Sequence, residues 1–208
     1  NLMGRPYKGQ NIKIYKANQI IPQVKSAEKT HDGVGEYFQV PKFCPKCHCK
    51  SVTYKISNST TSVVCTNPDC NGVFINKLIH FCSNKGLDIK GLSEKTLMKF
   101  IENGFIGSHR DLFELKKCRG DLMKLEGYGQ KSIDNILTAI DNVHGCETWR
   151  FISACGIPEV GVTVAKQLCQ HFASYSDFRK AIDEGFNFAE LPNIGDIMAE
   201  FISGFDYS

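Results

Sequence analysis

Four of the ten cysteines in this 208-residue chain are spaced for metal ligation. CPKC at 44–47 is followed by seventeen residues and then by CTNPDC at 65–70, which makes two close cysteine pairs. Pairs at this separation suit a tetrahedral thiolate site, each forming one tight turn while the polar insert folds back as a hairpin. The candidate ligands are Cys44, Cys47, Cys65 and Cys70. Cys49 competes for the place of Cys47, and the two-residue gap after Cys44 favours Cys47. With four protein ligands and no open position the ion is structural, zinc ahead of iron. It would stabilise a segment too small for a core of its own.

A second pattern recurs through the rest of the chain. IKGLSEKTL from 89, LEGYGQKSI from 125, IPEVGVTVA from 157 and LPNIGDIMA from 191 share one template. Each has an apolar residue, two variable positions, a second apolar residue (Leu92, Tyr128, Val160, Ile194), then Ser93, Gly129, Gly161 or Gly195, then a helical run. The small residues lie 36, 32 and 34 positions apart, the period of one helix–turn–helix unit. This is the pattern of helix-hairpin-helix modules. A small residue there lets a phosphate approach the backbone, and the amides opening the next helix point at an anion. A phosphodiester held this way is gripped without its base being read. The candidate DNA contacts in these repeats are Gly91, Ser93, Lys95, Gly127, Gly129, Lys131, Gly161, Lys166 and Gly195. Asp196 occupies a similar place in the last repeat, so that repeat contributes less to binding, or only packing. The plain alternative is a helical-hairpin repeat with glycine C-caps and solvated lysines.

These residues must be held by a multidomain α+β chain. NIKIYKANQIIPQVK from 11 alternates and is rich in Ile and Val, and YFQVP at 37–41 is a second strand-like run after the THDGVGE turn. From residue 74 the pattern is helical. FINKLIHFCSNKG ends at Gly86 as a C-cap, and SHRDLFEL carries Ser108 and Asp111 at capping-box spacing. Ile133, Ile136, Leu137, Ile140 and Val143 share one helical face. Cys118, Cys146, Cys155, Cys169 and Trp149 read as core. Expected boundaries are 1–42, 43–73 and 74–208.

Charge is uneven. Residues 1–70 hold ten Lys/Arg against four Asp/Glu, and residues 71–208 hold fifteen against eighteen. The basic part suits a polyanion, whereas the acidic part needs local geometry to hold one. No apolar run approaches the ~18–20 residues that span a bilayer, and the N-terminus lacks a signal-peptide pattern. A reducing, cytoplasmic setting without membrane partners follows as the expectation, and Asn1 in first place fits a piece of a longer chain. The six histidines show no metal-hydrolase spacing, and no Gly-x-Ser-x-Gly elbow occurs.

CPKC with CTNPDC, LIHFCSNKGLDIKGL, LEGYGQKSIDNIL and GIPEVGVTVAKQL together resemble the C-terminal portion of NAD-dependent DNA ligases. The resemblance covers nearly the whole chain. It implies the last strands of a partial OB-fold at 1–42, a four-cysteine zinc finger at 43–73 and an all-α domain of four helix-hairpin-helix repeats at 74–208. IKIYKANQIIPQV is similar to the end of the ligase OB-fold, where the family shows two arginines. Basic character is kept at Lys16, a further DNA-binding candidate, and not at Tyr15. The family's nucleophilic lysine lies in a Lys-x-Asp-Gly motif, which is absent; KTHDG at 29–33 has one residue too many. No catalytic residue is therefore expected in this chain, nor activity alone. NAD and magnesium would serve an adenylation domain supplied elsewhere, as a separate chain or segment, while this part holds nicked double-stranded DNA for replication and repair. The alternative is a stand-alone, sequence-independent DNA-binding repair adaptor with a structural zinc.

Overall fold

The computed structural model describes residues 7–17, 21–28, 39–55 and 61–207. The chain forms two compact units, one up to Pro68 and one from Asp69 onward.

The first unit holds two antiparallel strand pairs. Strand β1 (Ile12–Ala17) pairs with β2 (Ile21–Ala27), with an irregularity between Lys13 and Ile14 that shifts the register. Strand β3 (Ser51–Lys55) pairs in register with β4 (Thr61–Cys65). The alternation that announces β1 and β2 does not translate into a buried face: Ile12, Ile14, Tyr15 and Ile21 are all exposed. Gln39, Val40 and Pro41, at the end of the second expected run, are not in a strand. Tyr37, Phe38 and KTHDG at 29–33 lie outside the described residues.

The second unit is helical. Helix α1 (Asn71–Cys82) buries Leu78, Phe81 and Cys82. It stops at Ser83, not at Gly86 as the sequence suggests, because Ser83 already adopts extended backbone and its hydroxyl donates to the His80 carbonyl. Gly86 serves a different need. A Cβ there would sit 2.5 Å from the Phe81 carbonyl oxygen and 2.6 Å from that of His80, so the returning chain packs against the helix end only without a side chain. Helix α2 (Glu94–Glu102) buries Thr96, Leu97 and Phe100. The capping box expected after Gly107 is only half made. The Asp111 carboxylate accepts the Gly107 and Ser108 amides at 2.8 and 2.7 Å, which hold its pKa below the ordinary value, while the short α3 (Asp111–Glu114) starts after Arg110. A 3-10 turn at Leu115–Cys118 leads into α4 (Arg119–Leu122), and Arg119 grips Asp134 of α5 (Gln130–Asp141) through two bonds of 2.7 and 2.9 Å. The face expected on α5 is the one buried, with Ile133, Ile136, Leu137 and Ile140 inside and Val143 packed against them.

Helices α6 (Thr148–Ala154), α7 (Val162–His171), α8 (Tyr175–Asp183) and α9 (Asp196–Gly204) complete the unit. Its apolar residues form two clusters. One is built from residues 78–140 with Ala154, and the other runs from Ile152 to Ile202 around Phe178 and Phe188. A polar seam joins them. Buried Ser153 donates its hydroxyl to the Lys85 carbonyl at 2.7 Å, its own carbonyl meets His80 Nε2 at 2.8 Å, and Arg150 donates to the Gly86 carbonyl at 3.2 Å. Cys118, Cys146, Cys155 and Cys169 are half-buried rather than fully interior, each packed against a cluster. Burial pushes the Cys82 and Cys155 thiols up to about 12 and about 11, so both stay protonated at neutral pH.

His109 lies edge-on to Phe74 and Phe81, with ring centroids 5.9 and 5.0 Å away. Burial first, then the charge of Lys77, lowers its pKa. The folded state thus disfavours the imidazolium. The contribution from His109 is complete above the unfolded-state value of about 6.5 and is lost as pH falls through the lowered folded value. Thermal denaturation across pH 4–8 should show this acid-side loss, and His109→Gln should flatten it.

Candidate nucleic-acid interface and metal centre

The first unit reverses direction after Phe43. The Cys44 amide donates to the Cys49 carbonyl at 2.8 Å, the His48 amide to the Cys44 carbonyl at 2.9 Å, and His48 takes the left-handed backbone that closes the turn. The Thr66 amide donates to the Lys50 carbonyl at 3.1 Å, tying the second cysteine turn to the first. The Sγ atoms of Cys44, Cys47, Cys65 and Cys70 all lie within 4.8 Å of one another, and those of Cys47 and Cys65 are 3.4 Å apart. Sulfurs about 2.3 Å from a tetrahedral ion stand about 3.8 Å apart, so the spacing suits a thiophilic ion such as zinc. The Lys46 amide points at Cys44 Sγ and the Asn67 amide at Cys65 Sγ, both at 3.4 Å, a pattern that supports thiolate charge. Cys49, the competitor in the sequence, is exposed and outside the group.

The four recurring segments adopt one backbone. In each, the amide of the second apolar residue donates to the carbonyl of the first: Leu92 to Ile89, Tyr128 to Leu125, Val160 to Ile157 and Ile194 to Leu191, at 3.0–3.4 Å. The residue between them that turns the chain is left-handed every time, Gly91 at φ +88°, Gly127 at +86°, Glu159 at +64° and Asn193 at +59°. The apolar pairs anchor the turn: all are buried except Leu125 and Tyr128, which are half-buried against the first cluster. The small residue that follows is the N-cap of α2, α5, α7 or α9 in extended backbone, and its carbonyl accepts the first helical bond at 2.9–3.1 Å. The glycines at 129, 161 and 195 are therefore helix starts, not C-caps. Left-handed backbone at Glu159 and Asn193 is what the sequence template misses. Its variable third position holds Gly, Gly, Glu and Asn, and only alignment of all four reveals the constraint.

The caps differ in a useful way. Ser93 closes its own helix by accepting the Thr96 amide at 3.2 Å. Gly129, Gly161 and Gly195 supply no side chain to theirs. Their φ values of −96°, −87° and −84° suit any residue, and a Cβ built on any of them would meet nothing within 4 Å. Neither conformation nor internal packing requires glycine at these three caps. Gly91 is different, since it is left-handed and its Cβ would lie 2.8 Å from Ile136 Cγ1. The first turns of α2 and α9 carry Glu94 and Asp196, whereas those of α5 and α7 carry no carboxylate.

Lys90, Lys116, Lys117, Arg119, Lys124, Arg179 and Lys180 are in ion pairs with nearby carboxylates. Lys95, Lys131 and Lys166 are exposed and have no ion pair among the described residues, so their charge remains available at the hairpins. Lys16 is exposed on β1 opposite Pro22.

A repeated left-handed turn between two apolar anchors, opening a helix at a small cap, defines a tandem helix-hairpin-helix protein. The family described as helix-hairpin-helix motif matches residues 150–206, and that described as SAM-like helix-hairpin-helix tandem matches residues 87–142. The chain is homologous to a portion of the DNA ligases. It is 35% identical over 193 residues to the DNA ligase of Ruminiclostridium cellulolyticum, covering 92% of this chain and 28% of the relative. It is 34% identical over 202 residues to that of Lachnoclostridium phytofermentans and 36% over 199 to that of Chlamydia caviae, in both cases 95% of this chain and 29% of the relative. The chain thus spans under a third of the curated relatives it matches. Among the described residues no helix is long and apolar enough to cross a membrane.

Two outcomes are expected. Elemental analysis of the purified chain should find about one zinc per molecule, lost in Cys47→Ser but kept in Cys49→Ser, as four ligands require. Glu159→Gly should relieve the left-handed strain and stabilise the helical unit by ~0.5–1 kcal/mol after the entropy cost of glycine, read as a Tm higher by roughly 1–4 °C.

Proposed function

We propose that this chain is the DNA-binding C-terminal part of an NAD-dependent DNA ligase, holding nicked duplex for sealing while an adenylation domain acts from elsewhere. In this reading residues 1–42 are the end of an OB-fold, 43–73 a zinc finger with a structural ion on Cys44, Cys47, Cys65 and Cys70, and 74–208 a four-repeat helix-hairpin-helix domain. NAD and magnesium belong to the adenylation domain. The setting is intracellular and reducing, which keeps the thiols available to zinc.

The observation that carries this reading is the set of three glycine caps that nothing among the described residues requires. A cap position normally favours Ser, Asp or Asn, whose side chain accepts a helix amide. Glycine leaves that amide open and clears the space above it, which suits a phosphate oxygen approaching along the helix axis. Phosphates gripped at a series of caps fix the register of a duplex without reading sequence. The contribution to sealing is then positional: a bound nick keeps its 3′-hydroxyl and 5′-phosphate in attack geometry, while bond chemistry belongs to the missing domain.

The contacts divide among the repeats. Gly127, Gly129 and Lys131 in the second hairpin, and Gly161 and Lys166 in the third, combine an open cap with an unpaired lysine and a first turn free of carboxylates. In the first hairpin Ser93 fills its own cap and Glu94 follows it; in the fourth, Asp196 follows Gly195. Gly91, Ser93, Lys95 and Gly195 are accordingly the weaker contacts, with Lys16 adding charge from the first unit.

Fluorescence-labelled nicked duplexes of unrelated sequence should bind the chain with similar affinity, and log K should fall linearly with log salt. Gly161→Ser supplies the missing cap, so it should leave Tm unchanged or slightly raised. It should nevertheless weaken duplex binding, because its hydroxyl occupies the phosphate position. Sequence-selective or salt-insensitive binding, or full binding by the serine variant, would sink the phosphate-clamp reading. Adding the chain to a ligase adenylation domain should raise nick sealing, and an unchanged rate would count against the ligase assignment.

A further inference from the structure

The third repeat contains one feature that the hairpin template does not explain. Trp149, the only tryptophan of the chain, is half-buried on α6 and packs against the second apolar cluster. Two cations lie over its ring: Lys166 Nζ from α7 is 4.5 Å from the ring centroid, and the Arg150 guanidinium carbon is 4.7 Å from it. The indole nitrogen donates to the Glu147 carboxylate at 2.8 Å, which fixes the ring plane. Arg150 is itself tethered, donating to the Gly86 carbonyl at 3.2 Å. Neither cation is in an ion pair among the described residues, although seven other basic side chains of the helical unit are.

Two cations thus share one ring as their recorded partner in place of a carboxylate. The indole quadrupole attracts each of them, but only one carboxylate, Glu147, is in the group, and its recorded bond is to the ring nitrogen. A phosphate accepting from them would supply the ionic partner that neither has among the described residues. A lysine ordinarily loses much rotamer freedom when it grips a phosphate, and a lysine already resting on an aromatic face has less to lose.

We propose that Trp149 is a positioning residue of the third hairpin, its indole holding Lys166 and Arg150 as a ready pair of cations for one phosphodiester of bound duplex DNA. This rests on the DNA-binding reading above and names the group that tunes it. Lys166 shifts from the ring toward the phosphate on binding, and the indole, still anchored by Glu147, reports the change.

The test uses the 208-residue chain and a labelled nicked duplex, with label anisotropy for binding and tryptophan emission for the ring. In the unaltered chain, Trp149 emission should change along the same isotherm as the anisotropy. In Lys166→Ala, a surface variant, that emission change should largely vanish and the salt slope of log K should fall by about 1. Trp149→Ala should weaken binding by roughly two- to five-fold, the scale of one cation–ring contact. The double variant should lose less than the two single losses combined. Trp149→Phe, which keeps a ring and the core contact, should fall between the alanine variant and the unaltered chain. Constant emission at saturating DNA, or additive losses in the double variant, would overturn the positioning role while leaving DNA binding intact. Absence of any anisotropy change in the unaltered chain would overturn both readings.

Discussion

A chain that reverses between two helices and buries an apolar residue on each side of the turn has few backbone solutions. The helical unit uses the same one four times. The turn demands a left-handed residue before its second apolar anchor and extended backbone after it, and everything downstream follows. The anchors point into a core, the next helix starts at a fixed position, and its opening amides face outward. Two glycines meet the demand without strain, whereas Glu159 and Asn193 meet it because burial of Ile157, Val160, Leu191 and Ile194 holds the turn in place. Strain at those two residues is tolerated by packing elsewhere.

The same turn separates two jobs that glycine performs. At Gly91 the residue is needed by the fold, for its backbone and for the side chain of Ile136 behind it. At Gly129, Gly161 and Gly195 neither the backbone nor the packing of the described residues requires glycine. Charge is divided in parallel. Seven of the fifteen lysines and arginines of the helical unit are in ion pairs with neighbouring carboxylates, while Lys95, Lys131 and Lys166 have no ion pair among the described residues. Local geometry, not bulk charge, therefore sets where an anion can sit.

Much of this was legible in the residues because it depends on spacing. The cysteine pairs, the period of the repeats and the buried stripe of α5 follow from distances along the chain. What escaped depends on neighbours far in sequence or on conformation without a residue signature. Glu159 gives no hint that it is left-handed, since that state is enforced by Val160 entering the core. Gly86 looks like a helix stop and is instead a contact against the Phe81 carbonyl, a distinction that only the returning chain creates. The exposed Ile12 and Ile14 show the reverse limit. Alternation identifies a strand but cannot supply the surface that covers it. The contact of Trp149 with Lys166 crosses from α6 to α7, so the sequence, which places Trp149 in the core it does pack against, gives no sign of it.

The arrangement of the two apolar clusters bears on how the helical unit is made. Each is assembled from one nearly continuous stretch of chain, and they meet around Ile152–Ala154 and where Phe151 stacks edge-on with Tyr175. Contacts within each cluster close short loops, so little chain entropy is lost before packing begins to compensate. Residues 78–140 of the first cluster can condense as their segment leaves the ribosome, before the second has been synthesised. The Ser153 seam, held by a few polar bonds between these halves, is the natural plane along which the unit would open without unfolding either one.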